Sequence, residues 1–173
     1  MEKEKKWERV TQEFAPVCDE NSRVLILGTA PSRKSREVGF YYGHPQNRFW
    51  KVMAAVLDWP VPKNVDEKRR MLIENHIAIW DVIESCSIIG SGDASIKDVK
   101  VNDFSGILAN SKVKRIFVNG AKAYQLYHKY GYPVTGIKAV KLPSTSPANA
   151  AFSIERLIRE WKKEINGGSE NEI

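Results

Sequence analysis

Cysteine is nearly absent, with Cys18 and Cys86 the only two in 173 residues. Two thiols are too few for the four thiolates that usually hold an iron–sulfur cluster or a cysteine-only zinc site, and a chain this long does not need a disulfide scaffold. Histidine is as scarce: His44, His76 and His128 lie far apart without paired-ligand spacing. No metal or other cofactor is therefore expected. No apolar run approaches the ~20 residues that span a bilayer, and the opening MEKEKKWERV is too charged for the apolar segment of a signal peptide. That reading places the protein in the cytoplasm. Neither a GxxxxGKS/T phosphate loop nor a GxGxxG fingerprint occurs, which disfavours a nucleotide-binding α/β protein. Internal repeats and interdomain linkers are missing as well. Length alone predicts one domain, placed at residues 1–166, with a flexible tail over 167–173.

Acidic residues are missing from one long stretch. Between Phe104 and Ile154 there are seven basic side chains (Lys112, Lys114, Arg115, Lys122, Lys129, Lys138 and Lys141) and no Asp or Glu, against a net charge of +6 for the whole chain. A second bias lies between Thr29 and Lys51, where Arg33, Lys34, Arg36, Arg48 and Lys51 face only Glu37. Such runs are often solvated surface, and they fit contact with a polyanion equally well.

What is present is a succession of short apolar runs and amphipathic segments. Arg23 to Gly28 (RVLILG) is a continuous apolar run stopped by glycine, the pattern of a buried parallel strand. Ile77 to Val82, Arg115 to Asn119 and Ala139 to Leu142 read the same way. Helices are predicted over Glu4 to Phe14, from Asn47 to the stop at Pro60, and over Asp66–Asn75, Asn102–Asn110, Ala121–Tyr130 and Ala150–Ile165. Thr29 to Gln46 reads as a long loop, and Ser91 to Asp98 as a polar turn. Strands alternating with helices call for an α/β fold in which a mainly parallel sheet is covered on both faces. Ligands of such sheets bind beyond the carboxyl ends of the strands. The segments there are Gly28–Asn47, the Asp81–Ser95 region, Asn119–Gly120 and Pro143–Asn149.

Two of these loops carry suggestive chemistry. In the first, Gly28, Thr29 and Ala30 lead to Gly39 and then to Phe40, Tyr41, Tyr42, His44 and Asn47: aromatic faces with donors and acceptors, suited to a flat heterocycle. The plainer alternative is that the aromatics cap the core while Asn47 caps the next helix. In the second, Ser144, Thr145, Ser146, Pro147, Ala148 and Asn149 lead into a helix, which suits phosphate contact or an ordinary turn and cap.

The same loops resemble a known family. VLILGTAPSRKSREVGFYYGHPQNRFWKV resembles the first motif region of the uracil-DNA glycosylase superfamily, and its GF-x-x-x-HP-x-NRFWKV run is similar to bacterial mismatch-specific uracil-DNA glycosylase. LPSTSPANA, with IAIWDVIESC, GSGDASI, NDF and FVNGAKA, is more similar to the hypoxanthine-DNA (deoxyinosine) glycosylase branch. The resemblance runs from about Val24 to Trp161. It implies a three-layer α/β/α sandwich around a four-stranded sheet, and a monomeric, metal-free enzyme acting on DNA that contains deaminated bases, nucleoid-associated in a prokaryote. Such an enzyme extrudes the base and hydrolyses its N-glycosidic bond to leave an abasic site. Extrusion requires a stacking platform, a polar pocket and a grip on flanking phosphates. Tyr42, which matches the family's stacking aromatic, would be the platform, supported by Tyr41 and Phe40. Gly28, Thr29, Ala30 and His44 are the pocket candidates of the same loop. Asn119, at a strand end, could read the base edge or serve a turn, and Ser144, Thr145 and Ser146 would clamp phosphate. Pro147, Ala148 and Asn149 stand where the family inserts a wedge into the emptied stack.

One departure lies at the catalytic position. Relatives carry a water-activating Asp or Asn two residues after the first-motif glycine; Ala30 stands there and can do neither. Hypoxanthine-type relatives share this gap, and the resemblance makes Asn47 the key catalytic residue. An amide cannot act as a general base, but it can orient water or donate a hydrogen bond to a departing base. Asp81 and Asp93 could replace the carboxylate if their loops reach the pocket; otherwise they cap turns. His44 suits base contact or loop support equally, and Trp50 and Trp80 read as core. Lys51 could attack the sugar, although a solvated helix position is the plainer reading. The rival functions are a uracil or thymine mismatch glycosylase and a noncatalytic DNA-binding module.

Overall fold

The computed structural model describes residues 7–11, 14–30, 33–88 and 96–167. Its centre is a four-stranded sheet, all parallel, in the order β3-β2-β6-β7. These strands are β2 (Val24–Gly28), β3 (Ile77–Asp81), β6 (Arg115–Asn119) and β7 (Ala139–Leu142). All five residues of β2 are buried, as the continuous apolar run requires of a strand covered on both faces. Alternate side chains serve opposite layers. Ile26, Ile79 and Phe117 join a core with α2 (Phe49–Leu57), α3 (Val65–Glu74) and α7 (Ile154–Gly167), where Trp161 is fully buried. Leu25, Leu27, Ile116 and Val118 face a second core with α4 (Ser105–Asn110) and α5 (Ala121–Leu126). The three-layer α/β/α architecture expected from the sequence is the one observed, and each of the four expected strands is present.

A second sheet was not foreseen. β1 (Glu8–Thr11), β4 (Ile83–Ile88) and β5 (Lys97–Val101) form an antiparallel sheet in the order β1-β4-β5. The helix expected over Glu4–Phe14 is a strand where it is described. Only Val10 of β1 is buried, and its residues pair in register with Ser85–Ile88. Its neighbours are set by this distant partner, which overrides a weak helical pattern. β4 leaves β3 after a single residue, Val82, and β5 begins inside the segment read as a polar turn. Within the long loop Thr29–Gln46 lies a short helix, α1 (Arg33–Val38).

Helix boundaries also moved. The helix expected to Tyr130 narrows to α5, then widens into a π-turn at Tyr127–Gly131 before α6 (Tyr132–Thr135). A Cβ on Gly131 would lie 2.7 Å from the Tyr127 ring, so this bend depends on glycine. The last helix begins at Ile154, four residues later than expected, because Ala150–Ser153 belong to the preceding turn. Gly167 ends α7, and the rest of the expected tail lies outside the described residues. No described helix is long and apolar enough to cross a membrane.

Candidate active site

Parallel registry brings the strand ends into a row: Gly28 opposite Asp81, and Asn119 opposite Leu142. The two suspect loops rise from this row. The first carries Tyr42 in the left-handed region (φ 53°), a conformation that costs a non-glycine residue about 1–3 kcal/mol and persists only where its surroundings enforce it. Here the enforcement is packing. The Tyr42 ring stacks on Phe49 with centroids 3.9 Å apart and planes 17° apart, and meets Trp50 edge-on. Trp50 in turn donates its indole N–H to the Tyr41 carbonyl at 3.2 Å. The backing for Tyr42 is thus Phe49, which sequence reasoning did not single out.

The Tyr42 hydroxyl is buried and makes no hydrogen bond. It sits over Gly28, where an added Cβ would lie 3.0 Å from that oxygen and 2.6 Å from Asp81 Oδ1. Only glycine allows the two groups to approach the strand this closely. Burial first, and the Asp81 carboxylate second, push the Tyr42 phenol well above its ordinary range, with the Asn119 side chain partly offsetting them. Tyr41 is raised by the same two causes in the same order, but it is not at the pocket. Its ring is 2% exposed and its hydroxyl donates to the carbonyls of Ala15 (3.0 Å) and Phe14 (3.3 Å). The expectation that Tyr41 touches a base is corrected: it is core, and its contribution is support from behind.

Asn47 links the two loops. Its Oδ1 accepts from Phe49 N at 2.9 Å and from Thr145 Oγ1 at 2.8 Å. The peptide N–H can only meet an oxygen, so the orientation of the amide is determined. Asn47 thus receives the first N–H of α2, although the N-cap position itself is Arg48, and this bond sets its chemistry. Both acceptor positions of the oxygen are used, while Nδ2 carries no hydrogen bond among the described residues. What Asn47 presents is a donor. Behind it, Asn119 Nδ2 donates to Thr145 Oγ1 at 3.0 Å, and Thr145 N donates to Asn119 Oδ1 at 3.1 Å. Donors in series polarise one another, so the Asn119–Thr145 pair strengthens the Asn47 amide.

This corrects two assignments. Thr145 is fully buried, so it positions Asn47 instead of gripping a phosphate. Asn119 is held in a reciprocal pair with Thr145, so its primary task is the same. Elsewhere in the second loop, Ser144 Oγ accepts from Ser146 N at 3.1 Å, Ser146 Oγ accepts from Ala148 N at 3.2 Å, and Asn149 Nδ2 donates to Ser144 O at 3.0 Å. Pro147 and Ala148 are left exposed at the tip. Beside this loop lies a cleft of about 730 Å³ that Lys141, Ser144, Phe152 and Arg156 help to line.

Arg48 is the residue the sequence reading missed most plainly. Its backbone N–H donates to Thr145 O at 3.1 Å. Its guanidinium donates to the carbonyls of Ser146 (2.9 Å), Asn149 (3.0 Å) and Phe152. A planar fork satisfying three carbonyls ties the second loop to the start of α2. The available signal was an arginine lodged in an otherwise apolar helix start.

The remaining candidates are soon placed. His44 is half-buried and its Nδ1 accepts from Gln46 N at 3.1 Å, which leaves Nε2 as the outward donor. Thr29 and Ala30 are half-buried, and the Thr29 carbonyl accepts from Ile83 N at 3.0 Å. Asp81 is 3% exposed, with its Oδ1 packed over Gly28; Asp93 lies outside the described residues. Lys51 is exposed, Trp50 is core, and Trp80 packs edge-on against Phe104. Among the described residues no three His, Cys, Asp or Glu side chains cluster as metal ligands would.

Comparison with known proteins agrees with this geometry. The profile of the uracil DNA glycosylase superfamily matches residues 15–166. The chain is 38% identical to a protein named hypoxanthine DNA glycosylase from Methanosarcina acetivorans over 154 residues, 86% of this chain and 94% of that one. It is 36% identical to a protein of the same name from Methanosarcina barkeri over 115 residues, 65% of this chain and 72% of that one. The solution structure of a candidate uracil DNA glycosylase from M. acetivorans superposes with a TM-score of 0.76 at 36% identity, covering 88% of this chain and 94% of its own. On the extent of these matches, the chain belongs to the uracil DNA glycosylase superfamily.

Proposed function

We propose that this chain is a monofunctional DNA glycosylase that removes a deaminated base, hypoxanthine foremost, and leaves an abasic site. The observation that carries the reading is the Asn47 amide, whose oxygen is fully engaged by Phe49 N and Thr145 Oγ1 while its N–H groups remain available. A base extruded from DNA stacks on the face of Tyr42 opposite Phe49, and Asn47 donates to it as the bond between C1′ and the ring nitrogen breaks. The bonding electrons leave with the base, where the polarised amide stabilises the developing negative charge. Water then adds to the oxocarbenium-like sugar carbon and loses its proton to solvent. Because Ala30 offers no carboxylate and Asn47 has no acceptor to spare, the acceleration is electrostatic and the rate modest. The tip residues Pro147 and Ala148 fill the space left in the stack, and the acid-free stretch from Phe104 to Ile154 holds the phosphates. The names borne by the Methanosarcina relatives support hypoxanthine over uracil as the first substrate. We place the enzyme in the cytoplasm as a monomer.

The test uses labelled oligonucleotides, single- and double-stranded, each with one deoxyinosine, deoxyuridine or deoxyxanthosine, followed by alkali to reveal abasic sites. Wild type should cleave at deoxyinosine, and Asn47→Ala should lower kcat about 100- to 1000-fold, the usual effect of removing one charge-stabilising donor. A wild type that binds every oligonucleotide and cleaves none, at low salt with enzyme in excess, would establish a noncatalytic binding module instead.

A further inference from the structure

The second sheet, β1-β4-β5, has no task in the mechanism above, yet it grows from the ligand end of the first. β4 leaves β3 after Val82, Ile83 N donates to the Thr29 carbonyl at 3.0 Å, and Asn102, just past β5, donates from Nδ2 to the Asp81 carbonyl at 2.8 Å. One face of this sheet is inward: Val10, Cys86 and Ile88 are buried in the second core. The other is polar and open, and three features on it are not needed for folding. Trp7 is 45% exposed, unusual for a residue type that is highly buried on average, and Lys97 Nζ stands 3.8 Å from the centre of its ring. Arg9 spans all three strands, donating to Ser85 Oγ at 2.7 Å, to Ser87 Oγ at 3.4 Å and to the Asp98 carbonyl at 2.8 Å. It remains exposed, so what it offers outward is the flat face of its guanidinium. The third feature is a bulge. Lys97 pairs with Ser87 and Lys100 with Ser85, a step of three residues on β5 against two on β4. In a regular strand, residues three apart point to opposite faces. The bulge, with Asp98 turned into the left-handed region (φ 53°), instead sets both exposed lysines beside the serine row.

We infer that the outer face of the second sheet is a binding surface for single-stranded DNA, carrying the strand that leads away from the catalytic cleft. The inference goes beyond the glycosylase reading, which places the base and its flanking phosphates elsewhere. A single strand differs from a duplex in leaving its base faces free. The chemistry that holds it is a set of stacking platforms among cations that follow the backbone. Trp7 and the flat guanidinium of Arg9, two residues apart on one strand, are platforms of the two kinds that bases use. Lys97 and Lys100 supply the charge for phosphate. Of the neighbouring acids, Glu84 holds Lys100 at 3.5 Å, and Asp98 lends Arg9 its carbonyl. An exposed ion pair such as Glu84–Lys100 is weak and screened, so a phosphate can compete for the lysine. A duplex, with its bases stacked inside, gains only the charge. Ser87 lies four residues beyond Ile83, about 13 Å along the strand from the ligand end, so the surface is within reach of DNA held in the cleft. The bulge distinguishes this face from ordinary solvated surface, since solubility alone requires neither a left-handed aspartate nor two lysines aligned on one side.

Fluorescence anisotropy with labelled, undamaged oligonucleotides, a single strand and its matching duplex, tests this on the full chain. Trp7→Ala should weaken binding of the single strand about 10-fold, the scale of one lost base–aromatic stack, and change the duplex by less than about twofold. Trp7→Phe, which keeps a ring, should recover most of that loss, a rescue that a merely structural role would not produce. Replacing Lys97 and Lys100 together by Ala should lower the slope of log K against log salt by about 1.4, the release expected for two phosphates of a single strand. Thermal melting confirms that each variant is folded. Single-strand binding by folded Trp7→Ala and by the double lysine variant that equals wild type would overturn the inference. So would an equal loss on single strand and duplex, which would make the face a general electrostatic surface, or a wild type that does not bind the single strand. These oligonucleotides contain no deaminated base, so the result is independent of the glycosylase reading, whose own failure appears separately as intact deoxyinosine.

Discussion

The loop after β2 and the loop after β7 both close over the same row of strand ends, but they dispose of their polar atoms in opposite ways. The second is internally satisfied. Its serines cap its own turns, Asn149 reaches back to Ser144, and Arg48 takes three of its carbonyls. It exposes little but Pro147 and Ala148 at the tip. The first holds a tyrosine in the left-handed region with a buried hydroxyl that finds no partner, and an amide whose nitrogen is unused. A loop that satisfies itself is rigid and can act as a wedge or brace. A loop that leaves strained, unpaired groups where a ligand would complete them is the one to which the proposal assigns the chemistry.

The contrast is broken most severely at Arg48. Arg48→Ala would strand three carbonyls of the second loop and detach it from Asn47, with an expected destabilisation of about 3 kcal/mol, on the scale of several lost hydrogen bonds to a charged group. Urea unfolding gives the loss directly. A Lys substitution should recover only part of it, since an ammonium lacks the planar fork. Next comes Thr145→Val, which keeps the shape and removes the hydroxyl between Asn119 and Asn47. Removing one hydrogen bond from each amide should cost about 2 kcal/mol. The decisive readout is a drop in kcat on deoxyinosine larger than any change in KM, because Thr145 acts only through Asn47.

Tyr42→Phe sharpens the comparison from the other side. Removing a buried hydroxyl that has no partner should leave stability unchanged or raise it by up to about 1 kcal/mol, whereas removing a satisfied one would lower it. The same residue has a pH signature. Tyr41 and Tyr42 are both held neutral in the fold, with raised pKa, while in the unfolded chain they ionise near pH 10. Their contribution to stability is complete below about pH 10 and is lost as the pH climbs beyond it, since only the unfolded state releases the proton. Thermal melts above pH 10 should therefore fall less steeply in Tyr42→Phe than in wild type. The smallest effect is expected at the tip: Pro147→Gly should shift unfolding by less than about 0.5 kcal/mol, as exposed positions do, and weaken binding to DNA only a few fold.

Legibility in the sequence followed the range of the forces involved. RVLILG and RIFVN announce buried parallel strands because the signal is contained in five or six consecutive residues. β1 and β4 were missed because each is defined by the other, across some 75 residues, and neither alternates strongly by itself. The site divides in the same way. Tyr42 and Asn47 could be picked out from one loop, and the structure adds the Phe49 stack and the two bonds to the Asn47 oxygen that make it a donor. Arg48 and Thr145 could not be interpreted locally, since their partners lie about 100 residues away and a hydroxyl between serines looks like a phosphate contact until its burial is known.

By itself, then, the sequence determined the layered α/β plan, the loops at the ligand end and the family, all consequences of local hydrophobic pattern and motif order. The tertiary structure alone decided which polar atoms are consumed and which are left over. Hydrogen-bond satisfaction is a property of groups that meet only once the chain has folded, and at this site it separates the brace from the chemistry.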